Sequence, residues 1–378
     1  MKKLCVVIPS YNHGKFLKKA IDSVLNQTYK DFELIIIDDA STDNSRKIID
    51  SYKDPRIIKY YNAENQGAVI TLNQLIEFAN SEYIALLNSD DYWEPTKLQK
   101  QIDYLDTHKD KAACFTLADF VDEKDNLILE NDNFNVKIFN QRNRKQSEWY
   151  RYFFDNGNCL CHPSVMIRKE VYLKIGKYKN TYRQLPDFEF WIRLIKQYDI
   201  YIIQENLTHF RILSSRSKNT SFLNDKSFNL IIYEIFNIKN DFFNNCSYNL
   251  FNDAFKDKLF KSNFKDDLIS FEYEKALIHY NCPYYSQLGR FIGYKNIGKL
   301  FENERYYNII QKKYNFSMND YYKMGEKIVP FEEVIFEQKI IETVKIPDYM
   351  QNSRYYKLCN RIYNNKITGK IIKMFRKN

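Results

Sequence analysis

Residues 83–95 read Tyr-Ile-Ala-Leu-Leu-Asn-Ser-Asp-Asp-Tyr-Trp-Glu-Pro. The opening run, 83–87, is apolar, too short for a helix and bounded by polar residues. That is the pattern of a strand buried on both faces of a parallel sheet. It leads into two adjacent carboxylates, Asp90 and Asp91, then aromatics and a helix start at Pro95. Like charges side by side at the end of a buried strand repel, so they need a cation or strong donors. A hard divalent cation fits, because Mg²⁺ or Mn²⁺ takes one or two protein carboxylates together with substrate phosphate oxygens. Taken alone, the pair reads equally well as a solvated turn capping the next helix.

Working outward, the same unit repeats. Residues 4–11 (Leu-Cys-Val-Val-Ile-Pro-Ser-Tyr) form an apolar strand, and Leu17, Ala20, Ile21, Val24 and Leu25 follow at helical spacing. Residues 32–39 (Phe-Glu-Leu-Ile-Ile-Ile-Asp-Asp) are a second strand, with Thr42 or Asp43 capping a helix through Ile48 and Ile49. A third strand at 57–61 precedes Gly67 and a helix bearing Leu72, Leu75, Ile76 and Ala79; a further helix is predicted over 95–108. Four alternations of strand and helix predict an α/β, doubly wound, mostly parallel sheet. Ligands bind outside the carboxyl ends of such strands. Ser10-Tyr11-Asn12, Asp38-Asp39 and Asp90-Asp91 are therefore expected along one edge.

Downstream, 112–130 reads as a strand and hairpin around Asp125-Asn126, 131–148 as a polar mobile flap, and 164–167 as a strand. A helix over 187–197 carries Phe188, Trp191, Ile192 and Ile195 on one face. Past 214 the pattern changes to aromatic-rich amphipathic helices. The expected division is 1–214, a helical extension at 215–350, and a basic tail at 351–378.

The chain has 378 residues, 44% hydrophobic, enough for a sizeable core. No run of about 18 apolar residues marks a membrane span. The first residues lack a signal pattern, so a cytoplasmic location is expected. The seven cysteines are scattered, and Cys159 and Cys161 lack zinc or thioredoxin spacing, so reduced thiols are expected. Of the net +9, eight charges lie in 349–378, which holds no acid. That weakens the case for a nucleic-acid-binding body, so no nucleic-acid partner is expected, and the tail suits a local anionic partner. There Ile367, Ile371 and Met374 recur beside Lys366, Lys370, Lys373 and Lys377, a basic amphipathic helix suited to the inner face of the membrane. A solvated or partner-packed helix is the alternative, and Gly369 weakens it. A dinucleotide-binding oxidoreductase is excluded, because Pro9-Ser10-Tyr11-Asn12-His13-Gly14 is not Gly-x-Gly-x-x-Gly.

Four motifs in order, Val6-Val7-Ile8-Pro9-Ser10-Tyr11-Asn12, Ile37-Asp38-Asp39-Ala40-Ser41-Thr42-Asp43, Asn65-Gln66-Gly67 and Leu87-Asn88-Ser89-Asp90-Asp91, resemble the inverting family 2 glycosyltransferases of the GT-A fold. The resemblance covers roughly residues 3–212 and points to the bacterial surface-polysaccharide type. It implies a GT-A-like sheet, to which the pattern past 214 adds a C-terminal helical extension, and with it a UDP-linked sugar donor and a glycan or lipid-linked acceptor in lipooligosaccharide or capsule synthesis. It implies that Asp39 binds uracil, that Pro9 and Tyr11 hold base and ribose, and that Asn65 and Gly67 belong to the donor site. Asp90 and Asp91 match the Asp-x-Asp element, with Asp91 the metal contact, although Asn88 stands where many members carry Asp. In Pro186-Asp187-Phe188-Glu189 the catalytic base matches Asp187, with Pro186 replacing the usual Glu; Glu189 is a rival, and a plain N-cap explains Asp187 too. His162 resembles an acceptor-side residue but reads better as structural. Arg211 resembles a diphosphate contact, a surface ion pair being the alternative. The implied reaction is a metal-assisted inverting single displacement. The departures at Asn88 and Pro186 leave a non-catalytic sugar-nucleotide-binding module as the alternative. A processive synthase is not indicated, since no Gln-x-x-Arg-Trp occurs.

Overall fold

In the computed structural model the N-terminal half runs β1 (Leu4–Ser10), α1 (Gly14–Leu25), β2 (Phe32–Asp38), α2 (Ser45–Ser51), β3 (Ile57–Tyr61), α3 (Ala68–Phe78), β4 (Tyr83–Leu86), β5 (Tyr92–Trp93), α4 (Lys97–Thr107) and β6 (Lys111–Val121). Then come α5 (Gln146–Asn156), a 3-10 turn (His162–Ser164), β7 (Met166–Arg168), α6 (Lys169–Ile175), α7 (Pro186–Gln197) and β8 (Asp199–Arg211). Six helices follow: α8 (Asp225–Asn240), α9 (Tyr248–Phe255), α10 (Leu268–Tyr280), α11 (Ser286–Phe301), α12 (Glu304–Tyr314) and α13 (Met318–Gly325). The structure describes residues 2–129, 137–213, 225–261 and 267–328. The expected tail at 351–378 and residues 131–136 of the expected flap lie outside them.

The strands form one sheet in the order β3-β2-β1-β4-β7-β6-β8-β5. β3-β2-β1-β4 are parallel, as the alternating pattern predicts. The sheet then continues through β7, antiparallel to both β4 and β6, while β6 and β8 run parallel. Chain order departs from β1 in both directions, to β2 on one side and β4 on the other. That makes the tip of β1 a topological switch point.

Period-two alternation sorts the buried strands onto two cores. Val6, Ile8, Leu34, Ile36 and Ala85 face α1 and α4, whereas Val7, Ile35, Ile37, Ile84 and Leu86 face α3, α5 and α7. The second core does not stop at β8. Ile238 of α8, Phe251 and Phe255 of α9, and Ile278 of α10 belong to it, so the C-terminal helices share the sheet's own interior.

Local departures have local causes. α4 begins at Lys97 rather than Pro95, because the N–H of Lys97 closes a turn on Glu94 O (3.2 Å). The strand expected at 164–167 begins two residues later, at Met166, because Ser164 closes a 3-10 turn (162–164) around Pro163. The described part of the expected flap, 137–148, is tied down. Asn143 exchanges two hydrogen bonds with the Ile202 backbone (2.7 and 2.8 Å), and Asn140 Oδ1 accepts from Ala118 N–H (3.1 Å). Among the described residues no helix is long and apolar enough to cross a membrane.

Candidate active site

The tips of β1, β2 and β4 are stitched together by side chains. Asn12 takes a left-handed backbone conformation (φ 53°), and its Oδ1 accepts the Thr42 N–H (2.8 Å) beyond β2. Its own N–H donates to Ser41 Oγ (2.9 Å). His13 turns the other way, with Nδ1 2.9 Å from Ser89 Oγ and 3.8 Å from Asp90 Oδ1. Asp43 bridges the two helix starts, accepting from Gly14 N–H and Ser45 N–H (2.9 Å each). Asp38 is buried and its Oδ1 accepts from Arg46 Nε (2.7 Å).

Asp39 is 2% exposed, and its carboxylate gathers the loop before α3. Oδ1 accepts from Asn62 Nδ2 (2.8 Å) and Gln66 N–H (2.9 Å), and Oδ2 from Gly67 N–H (2.9 Å). Asn65 Nδ2 donates to the Asp39 carbonyl (3.3 Å). Gly67 sits at φ 89°, ψ 153°, a region only glycine occupies without strain. Pro9, one residue before the end of β1, is half-buried, and Tyr11 just beyond the strand is 44% exposed. Asp39, Asn65, Gly67, Pro9 and Tyr11 therefore share one end of β1 and β2.

Asp90 and Asp91 differ sharply. Asp91 is 2% exposed, with Oδ1 accepting Arg211 N–H (2.7 Å) and Oδ2 accepting Asn88 Nδ2 (2.9 Å). Burial, reinforced by the Asp90 charge, pushes the Asp91 carboxyl well above the usual carboxylate range, against the pull of those donors. The Asp90 side chain is partly open at 12%. The Arg211 guanidinium, expected at a diphosphate, is spent inside the chain. Nε donates to Asp90 O (2.8 Å), Nη1 to Asp122 O (2.5 Å) and Nη2 to Asp125, with the side chain 1% exposed. Arg211 braces the Asp90–Asp91 turn against β6.

Asp187 stands in the first turn of α7, half-buried, its Oδ2 accepting from Asn158 Nδ2 (2.7 Å). Glu189, the rival base, is 6% exposed and bound by Arg193 (2.9 Å) and Lys179 (2.8 Å), a structural ion-pair network. His162 bonds Tyr178 Oη (3.0 Å), and burial lowers its pKa despite the nearby Asp187 charge. Its ring also stacks edge-on with Trp191. The buried Cys161 thiol is raised well above its usual range, by burial first and then by the charges of Asp91 and Asp187 among others. The 158–163 segment links the end of the Asp90–Asp91 turn to the α7 start, since it sets Asn158 against Asp187 and Pro163 against Trp93. Trp93 Nε1 of β5 donates to Pro163 O in the 3-10 turn (2.8 Å). Next to Tyr178 an open groove of about 420 Å³ runs between α3 and the 177–180 segment, with Asn73, Gln74 and Asn180 in its walls.

His13 and Asn62 sit within or beside the motifs and were missed because a motif's spacing does not say which neighbour a side chain meets. Asn158 had no signal at all, since its partner lies 29 residues away.

Residues 5–176 match the model of glycosyl transferase family 2. An uncharacterized glycosyltransferase of Methanocaldococcus jannaschii is 35% identical over 212 residues, covering 55% of this chain and 70% of that relative. The chain belongs to glycosyl transferase family 2. An Escherichia coli family member, named as a UDP-Glc:alpha-D-GlcNAc-diphosphoundecaprenol beta-1,3-glucosyltransferase, is 39% identical over 128 residues, 34% of this chain and 50% of its own length. The crystal structure of Staphylococcus aureus TarS 1-349 with UDP-GlcNAc superposes with a TM-score of 0.51, covering 83% of this chain and 91% of TarS at 16% identity. That likeness is one of fold, and the family 2 sheet described above is of the GT-A type.

Proposed function

We propose that this family 2 glycosyltransferase moves a sugar from a UDP-linked donor to a hydroxyl of a glycan or lipid-linked acceptor, with inversion at the anomeric carbon. The observation that supports the reading is that Asp39 and Asp90–Asp91 follow β2 and β4 at the edge of the sheet where α7 opens with Asp187, the strand tips being joined through Asn12 and His13. The nucleoside lies at Pro9, Tyr11, Asp39, Asn65 and Gly67, where the exposed Tyr11 ring can cover a base. The name of the Escherichia coli relative supports a UDP-sugar and a lipid-diphosphate-linked acceptor.

Asp187 is the base. It takes the proton of the acceptor hydroxyl as that oxygen attacks the anomeric carbon, and the bond to the diphosphate oxygen breaks on the opposite face. General-base catalysis contributes about 10²–10⁴ in rate. Asn158 holds Oδ2, which leaves Oδ1 for the proton. Glu189 is committed elsewhere, so no second carboxylate competes.

A divalent cation suits the Asp90–Asp91 pair. Hard carboxylate oxygens are the right donors, and the two side chains are adjacent in the chain with Asp90 partly open. Asp90 offers the open oxygen and Asp91 the one behind it. Among the described residues no three His, Cys, Asp or Glu form a metal cluster, so phosphate and water would complete the shell. Bound there, Mg²⁺ or Mn²⁺ supplies charge neutralisation to the departing diphosphate.

The test is Asp187→Asn assayed against a panel of nucleotide sugars with and without Mn²⁺. Transfer is expected to fall at least about 10²-fold, while the thermal shift given by UDP persists. Undiminished turnover rejects the base. Binding without turnover in the unaltered chain, across a full acceptor panel, favours the non-catalytic module.

A further inference from the structure

Glu234 lies on α8, beyond the stretch that the family motifs cover, and is 1% exposed. Among the described residues its carboxylate meets no cation. Instead it accepts from three successive backbone amides: Arg183 N–H (2.7 Å), Gln184 N–H (2.9 and 3.2 Å) and Leu185 N–H (2.8 Å). Leu185 is the residue on which α7 begins, its carbonyl accepting the first helical bond from Glu189 N–H (3.1 Å). Pro186 follows without an N–H, and Asp187 comes next. The side chain of Leu185 also packs against the cluster that Phe228, Ile232 and Ile235 of α8 form with Tyr285 and Leu288. The polar attachment of this junction therefore comes from α8, which also supplies part of the apolar one.

We infer that Glu234 is a positioning residue for Asp187: by collecting the amides of 183–185 it fixes where α7 starts, and so where the proposed base points. This rests on the reading of Asp187 as base. The chemistry is specific to a carboxylate. Two anionic oxygens can satisfy three converging N–H groups with charge-assisted bonds, whereas an amide has one acceptor and would turn its own N–H₂ toward them. A misplacement of about 1 Å at a reacting group costs on the order of 10²-fold in rate. Glu234 touches none of Pro9, Tyr11, Asp39 or Gly67, so its loss should leave the nucleotide site intact.

Glu234→Gln and Glu234→Asp are to be compared with Asp187→Asn in the full chain. Expected is a fall in kcat of roughly 10- to 100-fold for Glu234→Gln, with the Kd for UDP unchanged and Glu234→Asp recovering part of the rate. Wild-type kcat in a folded Glu234→Gln, or kcat and UDP affinity falling together, overturns the inference. Should both Glu234 variants fail to fold, amide hydrogen exchange on the unaltered chain decides. Protected amides at Arg183, Gln184 and Leu185 uphold the anchor, and rapid exchange there removes it. Turnover by Asp187→Asn sinks the base itself, a result distinct from an inactive Asp187→Asn beside a fully active Glu234→Gln.

Discussion

At the scale of single residues, burial decides roles that residue type leaves open. Asp90 and Asp91 are neighbours of identical chemistry, yet one is locked by Arg211 and Asn88 and the other is open. Lys97 is the sharper case. Its ammonium is fully buried, hydrogen-bonded to Gln101 Oε1 (2.7 Å) and lying 3.8 Å from the centre of the Trp93 ring. Burial lowers its pKa from 10.5 to about 7, with the Cys114 and Cys161 thiols opposing. Above pH 7 the folded chain therefore holds Lys97 neutral, while the unfolded chain keeps it protonated up to 10.5. The unfolded state binds more protons across that interval, so stability from this group rises with pH. The buried Cys114 thiol, pushed up to about 12, acts with the opposite sign only above its ordinary value of 9.0, so the clean window is pH 7–9. Relative to Lys97→Met, the wild-type chain should gain about 1.4 kcal/mol per pH unit there. Urea unfolding of both proteins at the two ends of the window measures it, and parallel pH dependences would refute it.

At the scale of elements, the strands owe their positions to apolar runs and the loops owe theirs to individual hydrogen bonds. α10 and α11 show how closely two elements can be made to meet. Gly293 on α11 lies against α10 such that a β-carbon there would stand 2.5 Å from both Ala276 O and Tyr280 N. Backbone cannot yield as a flexible side chain can. Gly293→Ala should therefore push the pair apart and cost about 1–3 kcal/mol. Chemical denaturation reads the loss, and an unchanged midpoint would mean that the helices do not approach so closely. Transfer activity should survive at temperatures where the variant remains folded, because α11 bears no residue of the proposed site.

At the scale of the whole molecule, the C-terminal helices matter because they complete a core rather than decorate it. Phe242, Phe243, Phe251 and Phe255 pack with Tyr150, Phe153 and Phe154 of α5, beneath the sheet. A shared interior unfolds as one unit. All three tryptophans, Trp93, Trp149 and Trp191, belong to the sheet half, whereas α8 to α13 contribute much of the helical circular dichroism. Fluorescence and circular dichroism should thus trace one coincident urea transition. Two separated transitions would mean that the helices form a unit of their own, as the expected boundary near 215 has it.

The parallel half of the sheet and the clustering of the motif residues at its edge were legible in the sequence, because buried strands need continuous apolar runs and the chain must turn at their ends. Val6, Ile37 and Leu86 specify the strands they occupy whatever surrounds them. The antiparallel insertion of β7, the withdrawal of Arg211 from solvent and the support of Asp187 by Asn158 and Glu234 were not legible. Each depends on which distant segment arrives beside it, and pairing across tens of residues leaves no periodic trace in the chain. Local pattern determined what this protein could bury. Only tertiary packing decided which of its carboxylates remain free to act.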